Sequence, residues 1–318
     1  MEKLEEILAQ HYGFTIRNIT PGPRGFVATT YIIDTLDARY FAKVVKVSRY
    51  SANIEAGLPV LQELRAAGID QINYPIPAKD GCLSMTFEGH MLVVYNFIEG
   101  EWTFDYDFEA YVALMTKIHQ AKIQTPLLRE SFDISAVVNT LRRELDDLEK
   151  SSYSNPHQRK LQAIIAEYRH ELVADMTRFD LLVHYLRQSA NVPFVLTHGD
   201  ASGNILQAAD GKLYMIDWDD MMFAPRERDT WFHVGTNQAQ AEFLSLYQHY
   251  FPAYQIDASL FAFYVYKRYF EDVEGWCDKI LDSQSTDDER ANHLIHLDKD
   301  YFGWLRPAIR ELDGKNLF

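Results

Sequence analysis

Hydrophobic positions change rhythm several times along this chain. Leu4, Ile7 and Leu8 recur at helical spacing and predict a short first helix. The runs 14–20, 26–34 and 40–47 are dense in β-branched and aromatic residues and predict strands. Turn formers separate them, first Pro21, Gly22, Pro23, Arg24 and Gly25, then Asp37 and Ala38. Ile54, Leu58, Leu61 and Leu64 restore the helical period and predict a helix over 53–67, stopped by Gly68. Pro59 falls near its first turns, where proline is best tolerated. Two further strand-like runs, 82–87 and 91–98, flank Glu88, Gly89 and His90.

After Gly100 the pattern is mainly helical. Asp107 is placed to cap a helix running to about Ala121, and 131–150 and 156–188 read as long amphipathic helices. Three short apolar runs interrupt them: 192–197, 204–208 and 213–216, the last two joined across Asp210 and Gly211 as a hairpin. Helices return from about Ala239. There is no internal repeat and no low-complexity segment. The pattern predicts an α+β protein with a strand-rich N-terminal lobe over 1–99 and a larger helical lobe over 100–318.

Composition narrows the partners. Of 318 residues, 47% are hydrophobic and 14% aromatic, enough for a substantial core. The formal charge is -15, and no Lys/Arg cluster has the density of a nucleic-acid footprint. Such a balance steers cationic ligands inward. The expected partner is a cationic small molecule, with no nucleic acid and no membrane, on a monomer or weak homodimer. Cys82 and Cys277 form no metal spacing and read as unpaired thiols. The first ten residues lack an apolar signal core and no run approaches a membrane span. A cytoplasmic location is expected.

The candidate chemistry lies between His198 and Asp217. Residues 195–204 read V-L-T-H-G-D-A-S-G-N, which puts His198, Asp200 and Asn204 in a tight loop between two strands. Residues 216–219 read I-D-W-D, and the hairpin makes Asn204 and Asp217 neighbours. Asp200 offers a base, and Asn204 and Asp217 offer hard oxygen ligands of the kind magnesium takes. Taken singly, Asp200 and Asn204 are also ordinary turn residues.

In these residues the chain resembles the aminoglycoside phosphotransferase family, relatives of the protein kinases, with its H-x-D-x-x-x-x-N and I-D-x-x motifs. The resemblance implies a bilobal kinase-like fold, ATP and magnesium, and transfer of phosphate to an alcohol group. It implies Asp200 as catalytic base, Asn204 and Asp217 as metal ligands, and His198 as a brace for the loop. One departure stands out. The family's asparagine follows the aspartate by five residues, whereas Asn204 follows Asp200 by four, about 3.3 Å less chain. Either the loop is re-routed or Asn204 is displaced, with Ser202 as a substitute ligand. Lys43 in the strand Y-F-A-K-V-V resembles the phosphate-binding lysine, with Lys46 a rival, and Glu55 resembles its helix partner. The 22–29 segment corresponds to the phosphate-covering loop but lacks G-x-G-x-x-G. The backbone around Asn96 and Ile98 resembles the adenine-binding hinge.

Residues 216–229, I-D-W-D-D-M-M-F-A-P-R-E-R-D, and 263–272, F-Y-V-Y-K-R-Y-F-E-D, resemble members that act on aminocyclitol antibiotics such as spectinomycin. On that basis Asp219, Asp220, Glu271 and Asp272 are candidates to receive the substrate's ammonium groups. Trp218, Trp231, Tyr264 and Tyr269 are candidates for pocket wall or core. Arg228 and Asp229 read as a buried anchor for the segment after the metal ligand. Two alternatives stay open: a kinase of a metabolic alcohol, sugar or amino acid, and a nucleotide-binding pseudokinase. Nothing after Asp217 resembles a protein kinase's activation segment.

Overall fold

A computed structural model describes residues 2–23, 28–189, 192–231 and 237–313. In chain order it contains α1 (Glu2–Tyr12), β1 (Ile16–Pro21), β2 (Ala28–Thr35), β3 (Arg39–Lys46), α2 (Arg49–Ala66), β4 (Met85–Phe87) and β5 (His90–Asn96). Then follow β6 (Glu101–Trp102), α3 (Phe108–Gln120), α4 (Ser135–Lys150), α5 (Pro156–Ser189), β7 (Val195–Thr197), β8 (Ile205–Gln207), β9 (Leu213–Met215) and β10 (Met222–Ala224). The remainder is α6 (Glu227–Thr230), α7 (Asn237–Tyr250), α8 (Ala258–Leu281), α9 (Asp287–Ile295) and α10 (Arg306–Asp313), with a π-helical stretch over His296–Leu305. The α+β class expected from the pattern is the class found.

The chain forms two compact units. The first gathers residues 1–129, 194–229 and 246–252. Its centre is a five-stranded antiparallel sheet in the order β1-β2-β3-β5-β4. Period-two alternation builds it. Ala42, Val44, Leu92 and Val94 point to one face and form a core with Leu4 and Leu8 of α1. Lys43 and Val93, cross-strand partners, share the other face. Helix α2 begins at Arg49, four residues before the expected start at 53, because Ser48 caps it and forms a capping box with Ser51. Glu63 ties α2 down further on: its carboxylate accepts the Gln124 N–H at 2.7 Å and the Thr125 N–H at 2.9 Å.

Two small sheets complete this unit. β8 and β9 form the expected hairpin, with β6 paired to the outer side of β8. β7 pairs with β10, a strand the sequence pattern does not mark. The Met215 N–H donates to the Gln71 carbonyl at 2.9 Å, stitching β9 to the segment after α2. Asp107 caps α3 as expected, accepting the N–H groups of Glu109 and Ala110.

The second unit comprises residues 130–193, 230–245 and 253–318. Helices α4, α5 and α8 pack together around Phe179, Phe263, Tyr266 and Phe270. Tyr264 and Tyr269 are buried there, as core. Cys82 is exposed, Cys277 is buried, and both are free thiols. Among the described residues no helix is long and apolar enough to cross a membrane.

Candidate active site

A cavity of about 600 Å³ opens on the face of the large sheet opposite α1. It is a feature of the first unit alone. Phe41 and Lys43 of β3, Tyr95 at the end of β5, Tyr50 of α2 and the 96–98 connection line it, with Asn204, Ile216, Asp217 and Asp219. The 22–29 loop reaches it through Pro23, Ala28 and neighbouring residues, while its centre, 24–27, lies outside the described residues.

Lys43 organises the charge. Its Nζ donates to Asp217 Oδ1 at 2.8 Å and also pairs with Asp219 Oδ2. The Tyr50 hydroxyl donates to that same Asp219 oxygen. Burial opposes the charge on Lys43, yet the two carboxylates outweigh it and raise its pKa. The carboxylates diverge. Burial works against ionised Asp217, but the charge and hydrogen bond of Lys43 prevail and hold its pKa below the ordinary value. At Asp219 burial, with repulsion from Asp217, outweighs Lys43 and raises the pKa. Exposure separates them too: the Asp217 side chain is 50% exposed and that of Asp219 only 8%. Asp217 also sits at φ +61°, a left-handed conformation that aspartate tolerates better than most residues.

The catalytic-loop candidates follow from the segment 198–204. Asp229 accepts the His198 N–H at 2.9 Å and the Gly199 N–H at 2.6 Å, and its Oδ2 lies 2.9 Å from His119 Nε2 of α3. The His198 ring accepts the Asp200 N–H at Nδ1 (3.2 Å), which leaves Nε2–H to donate to the Ile216 carbonyl at 2.8 Å. The loop is thereby locked to the strand that delivers Asp217. Gly199 has φ +95°, and a Cβ there would stand 2.3 Å from the Arg228 guanidinium, so only glycine fits. Arg228 itself donates to Thr197 Oγ1 and to the Asp220 carbonyl, and with Asp229 it is buried, as an anchor requires.

The short Asp200–Asn204 spacing is accommodated by a 3-10 turn over Ala201–Gly203. Asn204 keeps its place beside Asp217: its carbonyl accepts the Ile216 N–H at 2.9 Å. Its side-chain Nδ2 donates to the Asp200 carbonyl at 2.9 Å and to Asp200 Oδ2 at 3.2 Å. Ser202 is buried, with its carbonyl accepting from the Tyr106 hydroxyl.

Other expected positions fall elsewhere. Glu55 does not face Lys43: it is exposed and its carboxylate accepts from the Ser84 hydroxyl at 2.7 Å. Lys43 is paired instead with Asp217 and Asp219. Lys46, the rival lysine, is exposed at the strand end. Asn96 lines the cavity, with its N–H donating to the Tyr74 carbonyl and its side-chain oxygen accepting the Tyr74 N–H, bonds that hold the connection in place. Ile98 lines the cavity. Asp219 is buried against Lys43 and Tyr50 rather than presented to an incoming amine, and Asp220 is exposed. Glu271 and Asp272 lie on α8 in the second unit, where Asp272 accepts from Arg268 Nε at 2.6 Å. Sequence reasoning missed Tyr50 and Asn73. The signal for Tyr50 was Ser48, a cap that puts it in the first helical turn.

The donor set fits a magnesium ion held with phosphates. A half-exposed carboxylate and an asparagine meet in one cavity, and the pair of aspartates already takes up a cation in the form of Lys43. Among the described residues no group of three or more His, Cys, Asp or Glu side chains is gathered as a metal cage. Magnesium bound with phosphates needs only one or two carboxylates.

Comparison with known proteins places the chain in a family and shows a shared fold. A family model, the phosphotransferase enzyme family, matches residues 18–259. No curated protein matches the chain by sequence. Among solved structures, a spectinomycin phosphotransferase in complex with ADP and spectinomycin is 20% identical, with a TM-score of 0.76 over 98% of both chains. A microcompartment-associated aminopropanol kinase is 16% identical, with a TM-score of 0.67 over 100% of this chain and 99% of that one. A choline kinase from Streptococcus pneumoniae is 14% identical, with a TM-score of 0.55 over 99% of each.

Proposed function

The chain belongs to the phosphotransferase enzyme family, and from that premise we propose that it transfers the γ-phosphoryl group of ATP to a hydroxyl of a small amine-bearing molecule. The observation that carries the reading is the convergence of Lys43 with Asp217 and Asp219, 174 and 176 residues away in sequence, in one cavity beside Asn204. Adenine fits against the apolar lining between Phe41, Ile98 and Leu206, with Tyr95 closing the back. Lys43 leaves its carboxylates to bind phosphate oxygens. Asp217 and Asn204 would hold magnesium, which neutralises charge on the phosphates as it shifts to the leaving group.

Asp200 is the base. Its carboxylate is oriented by the Asn204 amide and takes the proton of the acceptor hydroxyl as that oxygen bonds to phosphorus. The bond to the bridging oxygen breaks, and ADP leaves with the electron pair. The acceptor we favour is an aminocyclitol such as spectinomycin, supported by the fold shared with a spectinomycin phosphotransferase and by a net charge of -15. Acting on an antibiotic, the enzyme would confer resistance. A small amino alcohol is the second reading, supported by the aminopropanol and choline kinases that share the fold.

ADP release from magnesium-ATP with spectinomycin, aminopropanol and choline tests the assignment. Spectinomycin is expected to give the highest kcat/KM. Asp200→Asn is expected to lower kcat roughly 10²- to 10⁴-fold while ADP binding, measured by calorimetry, persists. ADP release at background with every acceptor would reject the kinase reading.

A further inference from the structure

The segment after the 96–98 connection has an unusual texture. Residues 99–109 read E-G-E-W-T-F-D-Y-D-F-E: five carboxylates and four aromatic rings, without a lysine or arginine. Two of the carboxylates are engaged, Glu99 with Arg39 and Asp107 as the cap of α3. Tyr106 and Phe108 are partly buried, with Tyr106 bonded to the Ser202 carbonyl. Trp102 and Phe104 are different. They are 57% and 59% exposed and face each other edge to face, ring centroids 4.5 Å apart at 74°. Glu101 and Asp105, both exposed, flank them in sequence.

This pair is bound into the catalytic loop. The Trp102 indole N–H donates to the Gly203 carbonyl at 2.8 Å, and the Thr103 N–H donates to the Ile205 carbonyl at 3.3 Å. Gly203 is also the residue against which the Asp200 carboxylate rests, 3.6 Å from where a Cβ would stand. The indole and the base therefore meet the same glycine. Two large apolar rings held in water beside a catalytic carboxylate call for a ligand that uses them. Their electron-rich faces, amid carboxylates and in a chain of charge -15, select a cation.

We propose that Trp102 and Phe104 form an acceptor subsite for a substituted ammonium group, using cation–π contact, with Glu101 and Asp105 supplying long-range attraction. The proposal rests on the phosphotransferase reading given above, which supplies Asp200 as the neighbouring base. It assigns the amine of the acceptor to residues of the first unit. The subsite also explains why the Trp102 N–H is tied to the loop: the bond fixes the ring's plane relative to Asp200.

Fluorine NMR of protein carrying 5-fluorotryptophan tests this without requiring turnover. The chain has five tryptophans, and the resonance missing from Trp102→Phe identifies Trp102. Tetramethylammonium chloride should shift that resonance saturably, and sodium chloride at equal concentration should not. Phe104→Leu should weaken the apparent affinity roughly two- to fivefold, the loss expected for one exposed cation–π contact. Both substituted side chains are more than half exposed, so the variants should fold. A Trp102 resonance that responds no differently to the two salts, or an unchanged affinity in Phe104→Leu, would overturn the subsite. The ADP-release assay fails separately: binding at Trp102 without turnover of any acceptor removes the kinase reading and leaves the subsite, and turnover without binding does the reverse.

Discussion

Asp229 does more at the site than either its position in the sequence or its distance from the cavity implies. It is fully buried and holds two consecutive backbone N–H groups and a histidine, so it fixes the loop that presents Asp200. Burial disfavours its charge, but the His119 hydrogen bond and neighbouring positive charge prevail and keep its pKa below the ordinary 3.8. The sign follows: a carboxylate with a depressed folded pKa contributes stability that is complete above about pH 4 and is lost as pH falls through that folded value. Asp229→Asn should cost roughly 3 kcal/mol at pH 7. The difference from wild type should narrow as pH falls from 5 to 3, as urea unfolding at each pH would show. Gly199→Ala should cost at least about 2 kcal/mol, because it must both adopt φ +95° and displace the buried Arg228 guanidinium. Thermal unfolding would show the loss, and an unchanged midpoint would contradict the packing described.

Helix α2 shows how a local device reaches the site. Ser48 caps it, Tyr50 rides in its first turn, and the Tyr50 hydroxyl bonds to Asp219, the partner of Lys43. Ser48→Ala should therefore do two things. It should cost about 1 kcal/mol of stability, and it should raise KM for ATP as the first turn frays and Lys43 loses its alignment. An exposed cap with no link to the cavity would change stability only. This element also marks a limit of what the sequence told. Ile54, Leu58, Leu61 and Leu64 announced the helix and Gly68 its end, because apolar periodicity records burial. The start was misplaced, since a cap acts through one hydroxyl and leaves no periodicity. The partner of Lys43 was likewise illegible: spacing puts Glu55 on the helix, but its rotation toward Ser84 is set by packing. By contrast the neighbourhood of the H-G-D and I-D-W-D stretches was readable, because a tight loop and a short hairpin constrain a few adjacent residues. β6, two residues long, carries too few positions for any pattern, and β10 follows I-D-W-D without a turn former of the kind that bounds β8 and β9.

At the scale of the molecule, the change of texture near Gly100 reports where strands give way to helices. It cannot report that Met215 bonds back to Gln71, or that Trp102 bonds to Gly203, since long-range pairing has no period. The cavity lining comes wholly from the first unit. ADP at 100 times its Kd should stabilise the protein by about 2.7 kcal/mol. Hydrogen exchange should slow at 28–32, 95–98 and 216–219. Protection elsewhere without protection there would place the nucleotide outside the cavity. The charge of -15 adds a second expectation. The kcat/KM for an ammonium-bearing acceptor should fall as sodium chloride rises from 20 to 300 mM, while that for a neutral diol should stay level, because added salt shortens the reach of the protein's field.

The cavity is assembled from widely separated parts of the chain. Lys43 meets Asp217 across 174 residues, and helices α2 to α5 are translated between them. A ribosome adding roughly 5–20 residues per second makes Lys43 about 10–35 s before its partner exists. During that interval the nascent sheet carries a lysine on its inner face, without the carboxylates that neutralise it. The site's charges are thus completed late in synthesis, and a chain released before Asp217 would hold the sheet and its Lys43 without the carboxylates that pair with it.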